Sequence, residues 1–408
     1  LEKEEDNMNR FCRAAVLLLP FLVALPHAFA QSGAPIRIGS TLSLTGPLGP
    51  TSAIHKVAGD VWMDEVNRKG GLLGRKVEWV LKDDQSRPDV ARTLYEQLIT
   101  VDKVDLINGP YATANILSAM GVAQRYNKLL LHNSFGTPRQ AKYDLQFPTS
   151  GGSGDPENVW PNLVFSAVAA GPRPPKTVAI VTSKFPSLHF ISVGAREVAK
   201  KRGLTEVLWL EWEFGNREFG PIASRIKDAK PDLVFVGATG LDAVMMLEAM
   251  KKIDYQPPMH FYMFPAPGPT AKVPEARGAL AFTTFEEHPP FTSNPRAAEF
   301  VKAFHERAKQ AGLPDTAVDL HASIAYSTWQ TLEAAVNGAK SLDDKALAQW
   351  LRGNQVDTVM GRLRWETTAD GPVNYVMGQD LYKVKQVQDG KWVVVWPREF
   401  AAPGARVQ

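Results

Sequence analysis

The chain has 408 residues, 44% of them hydrophobic, and its 46 basic and 43 acidic side chains give a formal charge of +3. That small excess is not gathered on a face or a tail, which argues against dedicated nucleic-acid or membrane-surface binding. With a single cysteine no intrachain disulfide can form, so stability must come from a large core, for which the length is ample.

Met8 reads as the true start, after the acidic leader LEKEEDN. Arg10 and Arg13 form a positive segment, Ala14 to Leu25 an apolar one, and Ala28-Phe29-Ala30 a cleavage site before Gln31. This is the pattern of a secretory signal peptide, and residues 1–30 are expected to be removed on export. The apolar run falls short of the ~20 residues a membrane span needs, and Pro20 and Pro26 interrupt it. Cleavage would remove Cys12, which lies inside the signal, and raise the formal charge to +4, since the segment carries three basic and four acidic side chains.

From Pro35 onward, short apolar runs alternate with amphipathic stretches. Strands are expected at 36–44, 77–81, 104–107, 129–131, 177–181, 206–210, 233–236, 260–264 and 280–283. Several are continuously apolar, as parallel strands buried on both faces must be. Between them, Val90, Leu94, Leu98 and Val101 mark one helical face opened by Pro88-Asp89, and Leu188, Ile191, Ala195 and Val198 mark another. The alternation predicts an α/β fold with parallel sheets. The stretch PTSGGSGDPENVWP (148–161) is the clearest break, read as a crossover between two α/β halves with two open sheets facing one another.

In open sheets of this kind ligands bind beyond the carboxyl ends of the strands. Three of those ends combine Gly, Pro and hydroxyl residues ahead of a helix: Ser43 to Gly49, Asn108 to Asn115, and His132-Asn133-Ser134-Phe135-Gly136-Thr137. Exposed N–H groups at a helix start, with a Ser or Thr hydroxyl, can hold a carboxylate or phosphate. Thr113 and Thr137 can equally be plain helix caps.

The order PIRIGSTLSLTGPLG, NRKGGLLGRKVEWVLKDDQSRPDVA, LINGPYATAN and LLLHNSFGTP resembles the periplasmic substrate-binding proteins of branched-chain and hydrophobic amino-acid ABC transporters. The likeness continues through PDLVFVGATGLDAVMMLEAM, GALAFTTFEEHPPF and MGRLRWETTADGPVNY. It implies the clamshell of type I periplasmic binding proteins: two doubly wound parallel-sheet lobes joined by a three-crossover hinge. Lobe one would comprise 36–156 and 283–364, lobe two 157–282 and 365–397, with 398–408 as a tail. It also implies a periplasmic location, a small-molecule ligand held between the lobes, permease subunits as partners, no cofactor, and a monomer. The family's carboxylate-binding positions fall on Tyr111, Ala112, Thr113, Phe135 and Thr137, with Ser134 and Gly136 beside them. Asp242, after Thr239 in GATGLD, aligns with the lobe-two acid that receives an ammonium group, and can also be read as an acid placed for the helix dipole. The glycine turn in NRKGGLLGR is read as structural.

Departures from the family pattern bear on specificity. Its Tyr-Gly pair after the first strand of lobe two is replaced here by Ser183-Lys184-Phe185-Pro186, which makes Phe185 a candidate wall and Lys184 a possible second positive charge. Ala112 stands where a hydroxyl is usual, and Phe135 where a small residue is usual. A more aromatic cleft suits an aromatic or branched aliphatic carboxylate as well as an amino acid. A ligand sensor built on the same clamshell is the alternative. A periplasmic enzyme is remoter: there is no G-x-S-x-G elbow, no H-E-x-x-H, no P-loop after Gly151-Gly152-Ser153-Gly154, and no metal-ligand spacing among the histidines.

Overall fold

The computed structural model describes residues 33–133, 142–150, 155–367, 374–377 and 382–408. Every run expected as a strand forms one: β1 (Ile36–Leu42), β2 (Val77–Asp83), β3 (Leu106–Ile107), β4 (Leu130–His132), β6 (Thr177–Ser183), β7 (Thr205–Trp212), β8 (Leu233–Gly240), β9 (Met259–Pro265) and β10 (Leu280–Thr283). Six further strands were not foreseen: β5 (Gln146–Pro148), β11 (Val356–Thr358), β12 (Gly361–Thr367), β13 (Asn374–Met377), β14 (Lys383–Gln388) and β15 (Lys391–Trp396).

The strands build two lobes. In lobe one, β2, β1 and β3 pair in parallel. An isolated parallel bridge between Asn108 and Leu131 continues this sheet toward β4, which pairs with β5. Lobe two is a seven-stranded sheet in the order β15-β14-β10-β9-β8-β6-β7, parallel from β10 through β7 and antiparallel at β14 and β15. Helices cover the sheets, and their apolar faces are those the sheet buries. In the helix Pro186–Lys201, Leu188, Ile191, Ala195 and Val198 are buried as the spacing predicts. In Pro88–Thr100 the buried face is Ala91, Tyr95 and Leu98, while Val101 lies past the helix end and is 68% exposed. Tyr95 takes the inner position there because its hydroxyl can donate to the Asn108 carbonyl and so lose no hydrogen bond on burial. The glycine turn ends the helix Gly49–Arg68, with Gly71 at φ +79° donating its N–H to the Val66 carbonyl.

The lobe boundaries differ from the expected ones in one place. The Trp365 indole donates to the Pro148 carbonyl at 2.7 Å, and Asn374 Nδ2 donates to the carbonyls of Asp144 and Gln146. Both β12 and β13 thus stand beside β5, so the chain leaves lobe one after residue 377 rather than after 364. Two alternating hairpin strands are easily assigned to the wrong lobe when pairing partners are unknown. The chain therefore crosses between β5 and the helix Pro156–Ala169, after β10, and between β13 and β14. At the second crossing the Glu286 carboxylate accepts from Thr283 Oγ1 at 2.9 Å and from Lys385 Nζ at 2.8 Å. Residues 398–408 are packed rather than trailing, with the Gln408 N–H donating to Gln386 Oε1.

Lobe two holds its cleft-facing residues through close helix contact. The helices Pro156–Ala169 and Pro186–Lys201 cross at Gly194, where an added Cβ would stand 2.1 Å from the Glu157 carbonyl oxygen. Backbone cannot yield as a side-chain tip can. Gly194→Ala is expected to destabilise the protein by roughly 1–3 kcal/mol in urea unfolding, despite the better helix propensity of alanine.

Candidate functional site

The carboxyl ends of the parallel strands of both lobes meet at an interlobe cleft that holds two adjoining cavities. The smaller, of about 50 Å³, is lined by Tyr111, Ala112, Thr113 and His55 from lobe one and by Phe185 and Thr239 from lobe two, among others. The larger, of about 660 Å³, includes Asp242, and Thr239 and His321 line both. Tyr111, Ala112, Thr113, Phe185, Thr239 and Asp242 are therefore gathered in one cleft. Ser134, Phe135, Gly136 and Thr137 lie outside the described residues.

Thr113 opens the helix Thr113–Arg125, which has no side-chain cap. The first N–H groups of a helix have no partner within it, and Ala112 and Thr113 line the cleft at this helix start. Ala112, just before, holds φ +76° and ψ +136°, a region non-glycine residues rarely enter, at a cost of about 1–3 kcal/mol. Such strain persists only where surrounding packing enforces it, and Ala112 is buried. Tyr111 of lobe one and Thr239 of lobe two line the same cavity. Burial pushes the Tyr111 phenol up to about 12.

The first strand end behaves differently from the other two. Thr41 and Ser43 donate to Asp84 at 2.7 and 2.6 Å, and the Thr45 hydroxyl and backbone N–H donate to Asp83. Those hydroxyls fasten β1 to β2 instead of opening toward a ligand. Lys184 is also elsewhere, in an exposed ion pair with Glu213. His132 is buried with its ring bonded to Gln146 Oε1 at 3.0 Å, a structural contact.

Several residues of the cleft went unnoticed in the sequence. His55, tilted, and His321, edge-on, pack about Tyr111 with ring centroids at 4.6 and 5.6 Å. Burial, with His321 nearby, holds the His55 imidazole well below the usual histidine range. Burial lowers His321 too, against the pull of Asp319. Asp319 caps the helix Leu320–Ala339 through Oδ1, at 2.8 Å from the Ala322 N–H. No motif marks a histidine inside a helix that happens to face a cleft. The pair D-L-H at 319–321 ahead of an apolar helix was the available signal, and it reads first as a cap.

Asp242 is buried, and desolvation raises its carboxyl to about 6, with Arg217 and the Thr239 backbone N–H opposing the shift.

Residues 35–391 match the sequence model of the periplasmic binding protein family. The chain belongs to the periplasmic binding protein family. Its fold is the leucine-binding-like type I form of that family. A Leu/Ile/Val-binding protein, BraC3 of Rhizobium johnstonii, is 26% identical over 84% of this chain and 91% of its own. A solute-binding protein of an ABC transporter from R. palustris, solved in complex with benzoate, superposes with a TM-score of 0.72 at 19% identity, over 89% of this chain and 95% of that one. The leucine-binding protein LivK of Thermotoga maritima gives 0.70 at 17% identity, over 88% and 97%. In this binding protein the cleft lies between two sheets rather than within one.

A carboxyl raised to about 6 binds a proton in the folded state over a range where the unfolded chain has already lost it. Asp242 therefore contributes stability that grows as pH is lowered from 7.5 toward 5, against the opposite contribution of the neutral His55 and His321. Asp242→Asn should remove that gain and stabilise the protein at pH 7.5 by up to about 3 kcal/mol, measured by denaturant unfolding across the pH series. A pH profile identical to that of the parent protein would count against a charged, desolvated Asp242.

Proposed function

We propose that this protein is the exported solute-binding component of an ABC importer. It captures a small hydrophobic amino acid or an aromatic or branched carboxylate between its lobes and presents the closed form to a membrane permease. The reading includes secretion through the leader at residues 1–30, which lie outside the described residues, and action in the periplasm as a monomer without catalysis.

The observation that carries it is the buried, strained Ala112 and the helix start at Thr113, which line an apolar cleft between two lobes. Converging N–H groups in low dielectric favour a carboxylate, and the walls favour an apolar body. The benzoate complex and the Leu/Ile/Val-binding relatives bracket the ligand class this would serve. Ser134, Phe135, Gly136 and Thr137 are proposed to complete the carboxylate shelf, with Phe135 and Phe185 shaping the apolar end.

A thermal-shift screen at pH 7.5 with L-leucine, L-isoleucine, L-valine, L-phenylalanine, benzoate and 4-hydroxybenzoate tests the reading. A tight ligand stabilises in proportion to the logarithm of its concentration over Kd. No shift from any of them at millimolar concentration would sink it. Thr137→Val should weaken the best ligand about tenfold to a hundredfold by calorimetry, the worth of a hydrogen bond to a charged group. An unchanged affinity would remove Thr137 from the shelf.

A further inference from the structure

The smaller cavity of the cleft offers a carboxylate donors but no charge. At about 50 Å³ it has room for only a few heavy atoms, since one water takes about 10–15 Å³. A group that enters therefore touches most of the wall. Among the described residues, no Asp, Glu, Lys or Arg lines it. The phenols of Tyr111 and Tyr382 do, and burial raises both, so they stay neutral. A carboxylate buried there would lack a counter-charge, and an unpaired ion out of water is costly.

Two side chains in that wall can become positive. His55 comes from the helix Gly49–Arg68 and His321 from the first turn of the helix Leu320–Ala339, and their ring centroids are 5.6 Å apart. His55 is 5% exposed, and its Nε2 is buried with no hydrogen-bond partner among the described residues. Asp319, two residues before His321, lines the larger cavity and keeps its Oδ2 buried, also without a partner among them. That oxygen is a counter-ion in waiting, and its attraction already favours a proton on His321. Lys385 opposes one, but Glu286 neutralises it at 2.8 Å. Asp242, Asp315 and Arg217 line the larger cavity, which His321 also reaches. His132 shares an inner cavity of about 20 Å³ with His55 and is bonded to Gln146.

Burial keeps both histidines neutral in the ligand-free cleft. A carboxylate reverses this, because a negative charge nearby favours the protonated ring, and both ring nitrogens then donate. Two imidazoliums side by side would repel, so only the ring with a counter-ion behind it takes the proton. We propose that His321, backed by Asp319, is the cationic half of the anion site at the Thr113 helix start, and that the cleft captures a hydrophobic carboxylate together with one proton. His55 stays neutral beside it. An ammonium group one carbon from the carboxylate would lie against that imidazolium, so plain carboxylates are preferred to α-amino acids. This rests on the proposed solute-binding role and narrows its ligand class. Affinity rises as pH falls, since proton uptake on binding links the two.

Calorimetry of benzoate binding at pH 6.5 in PIPES and in Bis-Tris, whose ionisation enthalpies differ, counts the proton. An uptake of about 0.3 to 1 proton per benzoate is expected, with affinity at least about fivefold higher at pH 6.5 than at pH 8.0. His321→Gln should abolish the uptake and flatten the pH dependence to under about twofold. Asp319→Asn keeps the capping oxygen and should lower the uptake by about half or more, a second variant should His321→Gln not fold. Asp242 is the other group able to take up a proton here, and Asp242→Asn should leave the uptake in place. No uptake by the parent protein, uptake undiminished in the His321 or Asp319 variant, or uptake lost in the Asp242 variant overturns the inference. If L-leucine binds and benzoate does not, solute binding stands and the inference falls. If neither binds, both fall together.

Discussion

Parallel pairing is the constraint on which the cleft depends. β1, β3 and β4 of lobe one run in one direction, as do β6, β8 and β9 of lobe two. Each must therefore release the chain at the same edge of its sheet and return it through a helix whose N-terminal end lies at that edge. Partial positive charge and unpaired donors accumulate there without any residue being selected for them. What sequence can vary is which ends stay open. Asp83 and Asp84 close the first end by consuming its hydroxyls, while Tyr111, Ala112 and Thr113 line the cleft.

The legibility of the chain follows from the same geometry. Central strands such as Leu233–Gly240 are buried on both faces, so hydropathy alone reveals them. The antiparallel β14 reads KVKQVQ and hides that signal, because Lys383 and Lys385 are themselves buried. Lys385 is neutralised by Glu286 and lies over the Trp392 ring, and Lys383 lies 4.3 Å from the Phe400 centroid. Partners distant in sequence make those lysines core residues, and no local pattern announces them. The cleft was legible where a motif sits on a strand end, as at Tyr111 or Asp242. It was illegible where a helix face supplies the residue, as at His55, or where a cap doubles as a cleft wall, as at Asp319.

Several cleft residues are held at an energetic disadvantage. Ala112 adopts a disfavoured backbone, Asp242 is desolvated, and His55 keeps a buried Nε2 without a partner among the described residues. At the cleft a ligand can supply what these residues lack.

Glu286 has a mechanical consequence. By accepting from Thr283 of β10 and Lys385 of β14, it ties the start of the second crossing segment to the lobe-two sheet. Residues up to Glu286 then move with lobe two, and turning in that segment is displaced toward lobe one.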